Sequence, residues 1–333
     1  MCGFLIFILT NAVYAKDTLV FAIDLIRHGS RLPMKAFPTA LFPESDAAQL
    51  TPTGMRQSFE HGRALREEYI DHDHLLPTKY KPGTLFVFST DTDRTLMTAQ
   101  SILFGLYPLG TGPDALPQKA QVIPIHAAPQ QKNDPFLTDT NSLYFYYLYY
   151  RDLAFRSDWR AEEAHWKPYF PKWSHAIGTP IKHLHQMAAV ADTAYISTLL
   201  HLPMPTELNK EDIKNIIEAG QWVLVTTFQT KSIADMVGKP LLTKIIDDLD
   251  KARSPNNILK YKLYCVHDST IMSLMTTLGS KAILPGYVSD FNIELFKRDD
   301  HQYIVKMRFN GKPFAIPGCD ENVCTLEELA NKK

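Results

Sequence analysis

The sequence predicts an α/β protein: a largely parallel central sheet flanked by helices, with a smaller helical cap domain inserted into it. Three observations carry that expectation. Two apolar runs, Thr18 to Ile26 and Lys262 to Val266, end abruptly in polar residues, the pattern of central strands covered on both faces. Helical patterns follow the strands, as in β–α units. From about Pro129 to Lys239, strand-like runs vanish and the chain turns helical and aromatic. Residues 17–128 and 241–333 are therefore assigned to the core and 129–240 to the cap.

Composition narrows the function classes. At 333 residues and 45% apolar side chains, the chain lies just past the size where one core gains a second lobe. Its net charge of −1 excludes a typical basic nucleic-acid binder. An anionic ligand would have to be met by local arginines. Residues 1–15 (MCGFLIFILTNAVYA) read as a secretory signal cleaved after Ala15, too short to span a bilayer. Cys2 would leave with it. Cys319 and Cys324 lie close together near the end; a bridge would close a short loop, contribute about 2 kcal/mol and pin the tail. Two free thiols are the alternative. Cys265, within an apolar run, is expected to be an inert core thiol.

The first strand runs into Arg27-His28-Gly29-Ser30-Arg31-Leu32-Pro33. Two guanidiniums and an imidazole thus fall at a strand's carboxyl end, where open α/β sheets place ligands. Each guanidinium offers a planar donor fork that matches phosphate oxygens. Gly29 is expected to allow a tight turn. Next, Leu50-Thr51-Pro52-Thr53-Gly54 opens a helix with Thr51 as cap and Pro52 in its first position. Met55, Phe59, Leu65 and Tyr69 are expected to form its apolar face. Asp71-His72-Asp73-His74 reads as a solvated turn rather than a metal site.

Leu85 to Phe88 is a second core strand, followed by Ser89-Thr90-Asp91-Thr92-Asp93-Arg94-Thr95 and a helix. Arg94 lies near the amino terminus of that helix, a position that already favours an anion. Val122 to His126 is a third strand. Within the cap, most rings of Tyr144-Phe145-Tyr146-Tyr147-Leu148-Tyr149-Tyr150 are expected to pack inward. A helix from Leu241 to Arg253 returns the chain to the core. The strand before His267-Asp268 comes next, then a helix from about Ile271. Phe291 to Phe296 and Tyr303 to Phe309 read as a closing antiparallel hairpin.

Arg-His-Gly-x-Arg-x-Pro after a hydrophobic strand resembles the signature of the histidine acid phosphatases, branch 2 of the histidine phosphatase superfamily. Leu50 to Gln57, Ser89 to Thr95, and His267-Asp268 are similar to further segments of that family. The Pro-Gly-Cys…Cys loop at Pro317 to Cys324 resembles the prostatic and lysosomal acid phosphatase type. The resemblance implies that His28 is the nucleophile that takes up the phosphoryl group. It further implies that Arg27, Arg31, Arg94 and His267 bind phosphate and that Asp268 is the proton donor. No cofactor and no metal are implied.

The expected activity is metal-independent hydrolysis of phosphate monoesters with an acid optimum, through a phosphohistidine. Substrates would be small phosphate monoesters, with phosphotyrosine and nucleotides among the candidates; no nucleic acid is expected, nor any membrane contact after signal cleavage. The expected location is periplasmic or secreted. Two alternatives stand beside this reading: a phytase of the same family, and a relative that binds phosphate ligands without catalysis.

Overall fold

The computed structural model describes residues 17–39, 42–128, 136, 140, 142–320 and 322–332; the expected signal segment, 1–15, lies outside them. Eight described strands form one sheet: β1 Thr18–Arg27, β2 Leu85–Thr90, β3 Ile125–Ala128, β4 Tyr261–Val266, β5 Asp290–Lys297, β6 Tyr303–Phe309, β7 Lys312–Pro313 and β8 Val323–Thr325. Their order is β3-β2-β4-β1-β5-β6-β7, with β8 pairing β6. The first four are mutually parallel where they pair, and the remainder add an antiparallel edge.

Ten α-helices are described: α1 Pro52–Arg66, α2 Asp93–Leu106, α3 Leu143–Asp152, α4 Ser157–Trp166, α5 Phe170–Ile177, α6 Met187–Leu199, α7 Lys210–Gln229, α8 Lys231–Ala252, α9 Asp268–Thr277 and α10 Leu326–Ala330. Side chains alternate across a strand, and β1 shows the consequence. Phe21, Ile23 and Leu25 join α8 and α9 in one apolar cluster. Ala22 and Ile26 join α1 and α2 in another, on the opposite face. A third cluster holds the helical insertion together and includes Trp159, Trp166, Trp173, Leu184 and Ile216.

Asp24 interrupts the apolar run of β1 and is fully buried. Tyr261 Oη donates to its Oδ2 (2.6 Å) and Asn292 Nδ2 to its Oδ1 (2.7 Å). Burial and the charge of Asp290 push this carboxyl well above its ordinary value, so it favours the protonated form.

Four local expectations need correction. The buried face of α1 is Gly54, Ser58, Gly62 and Leu65, while Met55 is exposed. Glycines replace bulk there because α1 and α2 touch backbone to backbone: a Cβ at Gly62 would lie 2.0 Å from Ile102 O, and one at Gly105 2.2 Å from Phe59 O. β3 starts at Ile125 rather than Val122, which is exposed. Only Phe145, Leu148 and Tyr149 of α3 are buried, one stripe at helical spacing, so Tyr144, Tyr146, Tyr147 and Tyr150 face solvent. Finally, α8 is one helix from Lys231 to Ala252 with Pro240 inside it. Its Ile233 packs in the insertion and its Leu241 to Leu249 against the sheet, so one continuous helix crosses the 240/241 boundary.

The Cys319–Cys324 bond is present and Cys265 is buried. Burial pushes the Cys265 thiol far up, which leaves it protonated and unreactive.

Candidate active site

Strand register explains why distant segments meet. β4 lies between β2 and β1, and Arg27 is level with Val266 while Ser89 is level with Cys265. The three parallel strands therefore end together, and the residues following them share one rim. His28 N–H continues the ladder to Val266 O (3.1 Å).

The loop after β1 is fixed from beneath by α1. Ser30 O accepts from Thr51 N (2.9 Å) and Thr51 Oγ1 (3.0 Å), and Ser30 N donates to Gln57 Oε1 (3.1 Å). Gly29 N donates to Thr98 Oγ1 of α2 (3.0 Å). A Cβ at Gly54 would lie 2.1 Å from Ser30 O, and one at Gly29 2.5 Å from Gly54 O. Gly29 is thus required for close approach of two backbones, not for a left-handed turn; its φ is not positive. These contacts give physical content to the Leu50-Thr51-x-x-Gly54-x-x-Gln57 pattern, since its polar and glycine positions all serve the loop that carries His28.

His28 is buried, and its Nδ1 meets Gly29 O at 2.9 Å. A carbonyl can only accept, so Nδ1 carries the proton and Nε2 presents its lone pair. Burial, reinforced by Arg27, His267, Arg94 and Arg31, pushes the imidazole well below its ordinary value. It remains neutral in mild acid.

Three arginines surround it. Arg27 Nη1 donates to Pro285 O (2.6 Å), its Nη2 pairs with Asp268 Oδ2 (2.8 Å), and its guanidinium lies 4.6 Å from the Tyr287 ring. Arg31 holds Asp192 with two bonds, Nη1 to Oδ2 (3.1 Å) and Nη2 to Oδ1 (2.8 Å), and Nη1 also donates to Leu32 O (3.0 Å). Arg94 enters from the first turn of α2, with Nη2 3.4 Å from His267 Nδ1. Burial and the nearby Arg31 lower Arg94 to about 10, still fully charged at neutral pH. In all three, Nε is buried and finds no partner in the protein.

His267 caps α9 and Asp268 is its first residue, three positions earlier than the helix start expected from sequence. His267 Nε2 lies 2.9 Å from Thr90 Oγ1, which meets Thr95 Oγ1 at 2.9 Å. Burial and Arg94 lower His267 to about 3. Since Nδ1 accepts from Arg94, Nε2 is the donor to Thr90, and neither nitrogen has a free proton for a ligand in this arrangement. Burial alone would raise Asp268, but Arg27 and then His267 outweigh it and hold the carboxyl below its ordinary value. It is a carboxylate in the ligand-free protein rather than the protonated acid expected from sequence.

All six residues singled out in the sequence, Arg27, His28, Arg31, Arg94, His267 and Asp268, therefore come together. Two further groups were missed. Tyr287 lies with its ring 5.9 Å from that of His28, and its hydroxyl is buried and unpartnered; burial pushes the phenol up to about 12. It is held by a strained segment: Val288 has φ 56°, and its N–H bonds His28 O (3.3 Å). A positive φ is an outlier for a β-branched residue, and it was a signal only coordinates could give. Asp192, on α6, had no motif around it.

A neutral imidazole with a free lone pair, ringed by guanidiniums whose Nε–H groups lack partners, defines a site for a tetrahedral oxyanion and a nucleophilic nitrogen. Residues 18–148 match the model of the histidine phosphatase superfamily, branch 2. Among individual relatives, the chain is 29% identical to the prostatic acid phosphatase of Bos taurus, with 96% of this chain and 86% of that protein covered. It is 27% identical to the lysosomal acid phosphatase of Xenopus laevis, covering 99% and 79%. Among solved structures, the phytase of Klebsiella sp. ASR1 superposes with a TM-score of 0.69 at 16% identity, covering 95% of this chain and 96% of that one. At that identity the likeness shows the shared fold.

Proposed function

We propose that the protein is an acid phosphatase that hydrolyses phosphate monoesters through a phosphohistidine on His28. The single observation that carries this reading is the set of three buried, unpartnered arginine Nε–H groups around the free Nε2 of His28. Buried donors without partners are costly, and phosphate oxygens would satisfy them together.

A phosphomonoester resists attack because its anionic oxygens repel a nucleophile. Arg27, Arg31 and Arg94 offset that charge and hold phosphorus in line with His28. The Nε2 lone pair forms a bond to phosphorus as the ester P–O bond breaks, and Asp268 gives its proton to the departing oxygen. Water then attacks the phosphohistidine, Asp268 takes up the proton, and His28 and phosphate are released. Asp268 acquires its proton with the substrate: a phosphate dianion shares Arg27, weakens the charge holding the carboxyl down, and raises its pKa. Mild acid assists that step while His28 stays unprotonated, which accounts for an acid optimum.

The disulfide between Cys319 and Cys324 supports an oxidising location, periplasmic or secreted. Among the described residues no helix is long and apolar enough to cross a membrane. A phytase would need a broad basic pocket, whereas Met34 to Pro38 offers one lysine. The presence of both His28 and Asp268 speaks against a binding protein without catalysis.

The test is steady-state turnover of p-nitrophenyl phosphate from pH 4 to 8 by the wild type and His28→Ala. Activity that peaks in acid and disappears in the variant is expected. Full turnover by His28→Ala would end this reading.

A further inference from the structure

We propose that Asp192 is a positioning and specificity residue: it presents one edge of Arg31 to the phosphate and selects against leaving groups that carry a second phosphate. The inference rests on the phosphomonoesterase reading and concerns a residue of the helical insertion.

Arg31 has five N–H groups, and the protein assigns three of them. Asp192 takes one hydrogen from each Nη, and Leu32 O takes the second hydrogen of Nη1. What remains is Nε–H and the second hydrogen of Nη2, which point the same way along one edge of the planar group. That edge is a two-donor fork matched to two phosphate oxygens, and its Nε is buried without a partner. Asp192 thus fixes the plane of Arg31 and leaves free the edge needed for the substrate. The clamp is firm because the next residue of α6, Thr193, donates from Oγ1 to Lys35 O (2.9 Å), lacing the helix to the loop that follows Arg31.

The same carboxylate sets the charge of the mouth. His28, Arg27, Arg31 and His267 are all buried, whereas the side chains of Asp192 and Asp268 keep 22% and 23% of their exposure. Tyr195, one helical turn beyond Asp192, has its ring 6.5 Å from that of Tyr287. An alcohol leaving for solvent therefore passes carboxylates and phenols. Lys35 is engaged with Thr179 Oγ1 (3.2 Å). Both imidazoles are held neutral and Asp268 gains its proton with the substrate, so a seated phosphate dianion, three guanidiniums and the Asp192 carboxylate leave the site with no net charge. A second phosphate on the leaving group then finds no spare positive charge and is repelled by Asp192. Without Asp192 the site carries one positive charge that attracts it.

The experiment compares two esters with the same reacting group, propyl phosphate and propane-1,3-diol bisphosphate, in the wild type, Asp192→Asn and Asp192→Glu. The wild type should prefer the monophosphate in kcat/KM. Asp192→Asn should narrow that preference about fivefold, the effect of one charge on a dianion roughly 8 Å away in a water-like dielectric. It should also lower kcat on propyl phosphate about tenfold with no rise in KM, because orientation is lost while repulsion is relieved. Asp192→Glu, which keeps the charge, should keep the preference. Unchanged kcat and unchanged preference in Asp192→Asn would overturn the proposal. Should that variant not fold, wild-type inhibition decides: pyrophosphate should bind no tighter than inorganic phosphate, and tenfold tighter binding would overturn it. A wild type that hydrolyses neither propyl nor p-nitrophenyl phosphate would refute the phosphatase reading instead.

Discussion

Asp268→Asn separates the two roles that the site gives to this carboxyl. In the ligand-free protein Asp268 is a counter-ion, 2.8 Å from Arg27 Nη2; during turnover it is the proton donor. Removing the proton should cost about 10²- to 10⁴-fold in kcat on an alkyl phosphate, the usual worth of general acid catalysis, or about 3–5 kcal/mol of barrier. On p-nitrophenyl phosphate, whose leaving group is stable as an anion, the loss should be tenfold or less. Removing the charge acts in the opposite direction on binding. A carboxylate about 6 Å from a bound phosphate monoanion, the form that prevails in mild acid, repels it by about 1–3 kcal/mol at an effective dielectric of 20 to 40, so inorganic phosphate should inhibit the variant roughly tenfold more strongly. The assay is kcat and KM over a series of alkyl and aryl phosphates, with phosphate as product inhibitor. Equal losses of kcat across the series, with unchanged phosphate inhibition, would remove Asp268 from both roles.

Other consequences follow from burial and close contact. His28 is pushed well below its ordinary value in the folded protein, so below pH 6.5 the unfolded chain binds a proton that the folded one refuses. Stability from this group is present above the unfolded pKa and is lost as pH falls toward the folded one. At pH 5 the loss amounts to about 2 kcal/mol. His28→Asn should therefore gain about 2 kcal/mol on the wild type between pH 7.5 and pH 5 in urea unfolding; a constant difference would contradict the stated tautomer and burial. Gly54→Ala places a Cβ 2.1 Å from Ser30 O and should cost about 1–3 kcal/mol while displacing His28 enough to lower kcat by about a hundredfold. Normal kcat in that variant would show that α1 does not set the loop.

Much of the site was legible because buried parallel strands are written as apolar runs and their ends carry the chemistry. Thr18 to Ile26 and Lys262 to Val266 announce themselves this way, and register alone brings Arg27, His28, His267 and Asp268 to one rim. Asp192 was illegible because a single carboxylate on a helix of small and apolar residues looks like a surface charge until Arg31 is placed opposite. Tyr287 follows a Pro-Gly pair that reads as an ordinary loop. The face of α1 was misread for a related reason: apolar periodicity locates contacts made by side chains, whereas α1 meets α2 through Gly62 and Gly105. Pro240 invites a helix break, yet the apolar contacts on both sides of it carry α8 through. The protonation of Asp268 was out of reach of sequence, since it depends on which arginine stands beside it.

Covalent trapping tests the central claim most directly. A ³²P-labelled aryl phosphate, mixed with the wild type and quenched rapidly in alkali, should leave base-stable, acid-labile label on the peptide that contains His28. Label on another residue, or none at all despite rapid turnover, would contradict the account.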